Sequence, residues 1–223
     1  MNKDFIFDIQ LFGDSVTSAD IVIDSASGTS VTWHLDSETT AQSSTSVSEL
    51  FRIANSEVAV VNGTSSSTTL HNIKFASGTT ITLTLDADTT LKTSMQIWNS
   101  GNVIFDLNNH TITQSGTAVT VNSAEVNTIF STISDTTGTL TVKNGNLVSN
   151  RTSNGTVIDV QGAGNVLVDN VSLKGASSGS GLALHARGTG EVTIKDSTFD
   201  LGNFNLTASS GTTTTKLILT GYT

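Results

Sequence analysis

The sequence predicts an all-β chain wound as a parallel β-helix, a solenoid, with a short capping helix near its N-terminus. Three observations predict it. The chain is rich in Val, Ile, Leu and Thr against a background of Ser, Gly and Asn, and it has no Pro; β-branched residues mixed with turn formers mark an all-β chain. Four segments align without gaps: "FDLNNHTI" (105–112), "LTVKNGNL" (140–147), "VLVDNVSL" (166–173) and "VTIKDSTF" (192–199), and a fifth, "LILTGYT", begins at Leu217. Their apolar anchors, Leu107, Val142, Val168, Ile194 and Leu219, lie 35, 26, 26 and 25 residues apart. A strand–bend–strand unit of about 25 residues cannot bury its apolar face alone, so equivalent units must stack.

Each column of the alignment has a physical reading. Two residues before the anchors stand Phe105, Leu140, Val166, Val192 and Leu217, which with the anchors make a period-two apolar face. Two residues after them stand Asn109, Asn144, Asn170, Asp196 and Gly221, types that tolerate a left-handed backbone and so mark a bend. The next column, His110, Gly145, Val171 and Ser197, accepts any side chain, which predicts exposure. Apolar residues return at Ile112, Leu147, Leu173 and Phe199, and Gly138, Gly164 and Gly190 mark a second turn. A further strand recurs as "AVTV" (118–121), "TVIDVQGAG" (156–164) and "LALHARGTG" (182–190). Upstream, "LTLDADTTL" (83–91) fits loosely, with Leu85 lying 22 residues before Leu107.

The segments "FDLNNHTIT", "GTLTVKNGNLV" and "EVTIKDSTF" resemble rungs of the right-handed parallel β-helix superfamily. They are closer to its adhesin-like surface-protein branch, common in gut bacteria, than to its enzymes. The resemblance covers residues 78–223 and implies stacked Asn side chains forming an internal ladder at the bend. Asn109, Asn144 and Asn170 match that position, while Asp196 and Gly221 depart from it. Such an amide would be buried and paired along the stack.

The ends divide the chain into a strand and capping region, 1–57, and the β-helix, 58–223. Within "SVSELFRIAN" (46–55), Ser46 and Glu49 have capping-box spacing, and Val47, Leu50, Phe51 and Ala54 follow a helical period. This predicts a helix over the first rung, which would cover an edge that otherwise invites pairing. Residues 16–36 read as strands joined by a Ser/Gly turn at 25–28. In "DFIFDIQLF", Phe5, Phe7, Ile9 and Leu11 alternate on one face, a strand folded on its own domain in the first reading and a candidate strand for end-to-end assembly in the second. Its core, "FDIQLF", resembles the starts of some phage structural proteins. The rung holding "NSAEVNTIFSTISDTTG" (122–138) is longer than its neighbours; Val126, Ile129, Phe130 and Ile133 have helical spacing, β-branched content opposes a helix, and a protruding loop is expected.

Charge and composition exclude several function classes. With 10 Lys+Arg against 19 Asp+Glu, the net charge is -9, which repels nucleic acid and anionic membranes. The absence of Cys removes disulfides and thiolate metal sites. No apolar run is long enough to span a bilayer, and the first residues make a poor secretory signal, since Asp8 and Gln10 interrupt the apolar stretch.

Few residues point to chemistry. "GASSG" (175–179) matches the nucleophile-elbow pattern around Ser177, but in loop sequence. The four histidines, His34, His71, His110 and His185, lack ligand spacing and read as surface residues. Asp86 and Asp88 could meet Asp106 one rung on, a solvated group or a calcium site. The column Asn108, Lys143, Asp169, Lys195, Thr220 predicts a modest ion ladder. Of the scarce aromatics Trp33, Trp98 and Tyr222, Trp98 is the best candidate for stacking on a sugar. The expectation is a non-enzymatic structural or adhesive protein, exposed on a surface or carried on a virion. It would need no cofactor or metal, and its partners would be itself or glycans. The alternative is a polysaccharide lyase or hydrolase of the same fold.

Overall fold

A computed structural model describes residues 21–35, 43–56, 72–75, 80–91, 95–99, 101–114, 119–121, 124–126, 128–132, 137–151, 156–160, 162–175, 182–186, 189–200, 207–208 and 216–221. The chain is a parallel β-solenoid with one short helix before it. Face one is a nine-stranded sheet. Its parallel members are Ile21–Ser27, Asn72–Phe75, Met95–Asn99, Thr128–Thr132, Thr156–Val160, Leu182–Ala186 and Thr207–Ala208. Face two stacks Thr80–Thr84, Asn102–Asp106, 140–143, 166–169, Glu191–Lys195 and Lys216–Thr220. After a corner, face three stacks Thr89–Leu91, Thr111–Gln114, 146–149, 172–174 and Thr198–Asp200.

Period-two alternation places the core. Leu83, Phe105, Val142, Val168 and Ile194 form one inward column on face two, each at most 1% exposed. Burial of each such side chain stabilises the fold by about 1.5–3 kcal/mol. From face one, Phe130 reaches Phe105 with ring centroids 5.0 Å apart, and Phe75 meets the same ring edge-on. The expected columns at Val142, Val168, Ile194 and Leu219 are in register as read.

The register upstream differs from the sequence alignment. Val142 pairs with Phe105, not Leu107, while Leu147 pairs with Ile112 as aligned. The corner at 107–110 therefore holds two more residues than the corner at 144–145. Leu107 is the first residue of this wider corner, and its N–H bonds to the Lys143 carbonyl at 2.8 Å.

A second correction concerns the long rung. Thr156–Val160 pairs with Thr128–Thr132, not with 118–121. The extra residues form a hairpin, Val119–Val121 against Ala124–Val126. Ile129 and Phe130 are fully buried strand residues, so β-branched content prevails over their helical spacing.

At the N-terminal end, Ile21–Ser27 pairs in parallel with Asn72–Phe75, so face one continues across residue 57. Ser30–Leu35 and Ser43–Ser46 then extend it antiparallel; the turn joining Ile21–Ser27 to Ser30–Leu35 is Gly28–Thr29, not 25–28, with Gly28 at φ 57°. Helix α1 (Val47–Ser56) begins at the predicted cap, where the Glu49 N–H donates to Ser46 Oγ at 3.3 Å. Its Val47, Leu50 and Phe51 are buried, and Phe51 lies 5.8 Å from the Phe105 ring. Asp86, on the first rung, accepts from the Ser48 N–H at 2.8 Å and from its hydroxyl at 2.9 Å, tying the helix to the solenoid. Phe5, Phe7, Ile9 and Leu11 lie outside the described residues, as do His71, Ser177 and Tyr222.

Candidate functional site

The corner between faces two and three is built by residues held at positive φ: Asn109 at 66°, Asn144 at 59°, Asn170 at 56°, Asp196 at 48° and Gly221 at 61°. Asn and Asp tolerate this left-handed conformation better than other side-chain-bearing residues. The wide corner needs a second such residue, Asn108 at 50°, whose N–H donates to Asp106 Oδ1 and whose amide donates to the Leu85 carbonyl.

The amides stack. Asn170 Nδ2 donates to Asn144 Oδ1 at 3.1 Å, and Asn144 Nδ2 donates to Asp106 Oδ1 at 3.1 Å. The stack runs along the outside of the corner, not inside. Asn109, Asn170 and Asp196 are exposed and Asn144 is half-buried. A left-handed residue turns its side chain outward here, and the next residue turns inward. Val171 and Ser197 are accordingly 1% exposed. Ser197 is satisfied inside, donating to the Lys195 carbonyl at 2.8 Å and accepting from the Val171 N–H at 3.1 Å. The column expected to be exposed is therefore divided: Val171 and Ser197 point inward, while His110 is half-exposed beside Asp88. Asn109 joins the stack through its backbone alone, its N–H meeting the Asn144 carbonyl at 2.7 Å.

Beside the corner runs an ion ladder: Thr84, Asp106, Lys143, Asp169, Lys195 and Thr220 are consecutive register partners. Asp106, not Asn108, fills the upstream place, which completes the alternation of sign. Lys143 lies 3.2 Å from Asp106, and Lys195 lies 3.4 Å from Asp169. Desolvation alone would raise the Asp106 pKa; donation from the Asn108 N–H, the Asn144 amide and Lys143 outweighs it and holds the carboxyl below its usual value.

Between the corner residues and the outward residues of face three lies an open cleft of about 260 Å³, lined by Asn109, Asn146, Asn170, Ser172, Asp196 and Thr198 together with Gly145 and Val171. No motif in the sequence marks this cleft. Its outer row, Asn146–Ser172–Thr198, follows from register alone.

The other candidate residues are dispersed. Asp86 holds α1, Asp88 accepts from the Thr111 N–H at 2.9 Å, and Asp106 serves the corner, so the three do not converge. Among the described residues no group of three His, Cys, Asp or Glu could hold a metal ion. The three described histidines are each beside an aspartate: His34 and Asp24 at 2.9 Å, His110 and Asp88 at 3.3 Å, His185 and Asp159 at 3.4 Å. Trp33 is packed, 6% exposed, with Nε1 donating to Thr45 Oγ1 at 3.2 Å. Trp98 stands in Met95–Asn99 opposite Lys74, and its side chain lies outside the described residues.

Two signals in the sequence could have placed the upstream register. With Phe105 as anchor, the turn column gains Gly101 before Gly138, Gly164 and Gly190, and the charged column gains Asp106. Fold and corner together define the class, a parallel β-solenoid with polar columns along one edge. Comparison with protein-family models, with curated proteins and with solved structures returned no match.

Proposed function

We propose that the chain is a non-enzymatic structural or adhesive rod, displayed on a surface or a virion and able to associate end to end. The carrying observation is the commitment of polar groups to neighbouring rungs: Asp106 to Lys143 and Asn144, Asn144 to Asn170, Asp169 to Lys195. Groups spent in this way make a regular surface instead of converging on one reacting point. The parallel stacking supports association: each rung presents its neighbour with a strand edge in the same register, and strand addition at a sheet edge is a common mode of association.

Light scattering across a concentration series, with negative-stain microscopy, tests the association. Concentration-dependent oligomers or rods are expected, and a strict monomer at every concentration overturns end-to-end assembly. Antibody labelling of intact producing cells and of particles they release tests display; labelling confined to lysed cells overturns it.

A further inference from the structure

We propose that the corner cleft is a binding groove for a linear, neutral polysaccharide lying parallel to the solenoid axis. The inference rests on the adhesive reading above and names its ligand class and site. The cleft has two rows of polar side chains, Asn109, Asn170 and Asp196 at the corner and Asn146, Ser172 and Thr198 on face three. On face three, Asn146, Ser172 and Thr198 sit one rung apart, at about 4.8 Å, and so do Asn170 and Asp196 at the corner, while Asn109 lies two rungs from Asn170. Both rows hold unused hydrogen-bonding capacity. Among the described residues, the Asn109 carboxamide and the Ser172 and Thr198 hydroxyls have no hydrogen-bond partner; Asn170 and Asn146 use only their Nδ2 groups, on Asn144 Oδ1 and Thr111 Oγ1.

A periodic row of unspent donors and acceptors selects a periodic ligand of matching repeat. A β-linked pyranose chain advances by close to one rung spacing per ring and presents hydroxyls along both edges. An extended peptide turns alternate residues to the same face, so its same-face groups recur about every 6.6 Å and miss the next rung by nearly 2 Å. Charge narrows the class further. The lining holds one carboxylate, Asp196, and no cation, and the chain carries a net charge of -9, so a polyanionic glycan is repelled. The lining has no aromatic ring either. Recognition is by hydrogen bonds exchanged with water, which sets the affinity of one groove in the range of about 1 mM.

The test is an NMR titration of the full chain with cellohexaose and mannohexaose, with hexagalacturonate and an uncharged hexapeptide as comparators. A Ser172→Ala/Thr198→Ala double variant is titrated alongside, its fold checked by circular dichroism and melting temperature. Saturable shifts confined to the cleft residues with a neutral hexasaccharide, weakened about tenfold in the double variant (1.4 kcal/mol per factor of ten), support the groove. Absence of shifts with both neutral sugars, equal binding by the double variant, or preference for the hexapeptide or hexagalacturonate overturns it. If the chain still assembles and is displayed while neither sugar binds, the cleft alone is refuted and the structural reading stands.

Discussion

Gly145 shows how one position joins two kinds of corner. The wide corner at 107–110 stacks on the tight corner at 144–145, and a Cβ at Gly145 would come within 2.5 Å of Leu107 Cβ and 2.6 Å of the His110 carbonyl oxygen. The carbonyl cannot yield without moving the corner backbone. Gly145→Ala is therefore expected to cost about 1–3 kcal/mol in urea unfolding, even though its neighbours in the column are the larger Val171 and Ser197. A cost near zero would show that the corner adjusts freely. Asp196 offers the opposite case. It stands next in line after Asn144 and Asn170 but, ionised, has no proton to donate to the Asn170 amide oxygen. Asp196→Asn is expected to extend the stack and raise the melting temperature by about 1–2 °C, the equivalent of about 0.5 kcal/mol for a chain of this size. A fall would mean that the 3.4 Å contact between Lys195 and Asp196 outweighs the added hydrogen bond.

At the scale of elements, α1 depends on the first rung as well as on its own sequence. Ser46 satisfies one N-terminal N–H of the helix, and Asp86 satisfies another from 38 residues away while lying near the positive end of the helix dipole. Desolvation would raise the Asp86 pKa; the Ser48 N–H, the Ser48 hydroxyl and the Ser46 hydroxyl outweigh it and hold the carboxyl below the usual 3.8. A carboxylate depressed in the folded state stabilises it fully above its unfolded pKa, and that contribution is lost as pH falls through the folded value. The wild type should therefore lose stability below about pH 4 more steeply than Asp86→Asn, and the variant should start about 1 kcal/mol lower at pH 7. Urea midpoints measured from pH 7 to pH 3 check both statements, and parallel curves for the two proteins would remove Asp86 from the account.

Across the whole molecule, stability should be graded by rung. A central rung is bonded on both sides, and its side chains pack between two neighbours. The strand Leu140–Ser149 has partners on both sides, whereas Lys216–Thr220 pairs only with Glu191–Lys195 among the described residues. Leu219 is correspondingly only half-buried, while Ile194 in the same column is fully buried. Quasi-one-dimensional proteins open from their weakest end. Hydrogen exchange should therefore be slowest for Val142, Leu147 and Val168 and fastest for Ile218 and Leu219, with residues beneath α1 protected. Uniform protection from first rung to last would mean that the solenoid unfolds as one unit.

The sequence by itself determined the repeat and much of its chemistry. Period-two apolar residues, an Asn/Asp column and a Gly column are local requirements of strand, left-handed corner and tight turn, and local requirements leave local marks. The helix cap at Ser46 was legible for the same reason. The choice of Phe105 over Leu107 as the partner of Val142, which Gly101 and Asp106 favour but do not compel, the outward course of the amide stack, the burial of Val171 and Ser197, and the pairing of Val119–Val121 with Ala124–Val126 were decided by tertiary structure. A corner can absorb two extra residues without breaking either strand pattern, so the alignment of neighbouring segments does not fix which residues stack. The direction of a side chain at a corner depends on how the two faces meet, and a pairing such as Asp86 with Ser48 exists only once rung and helix are in contact. The cleft is of the same kind: each of its residues is an unremarkable polar position along the chain, and only the stacking of rungs lines them up.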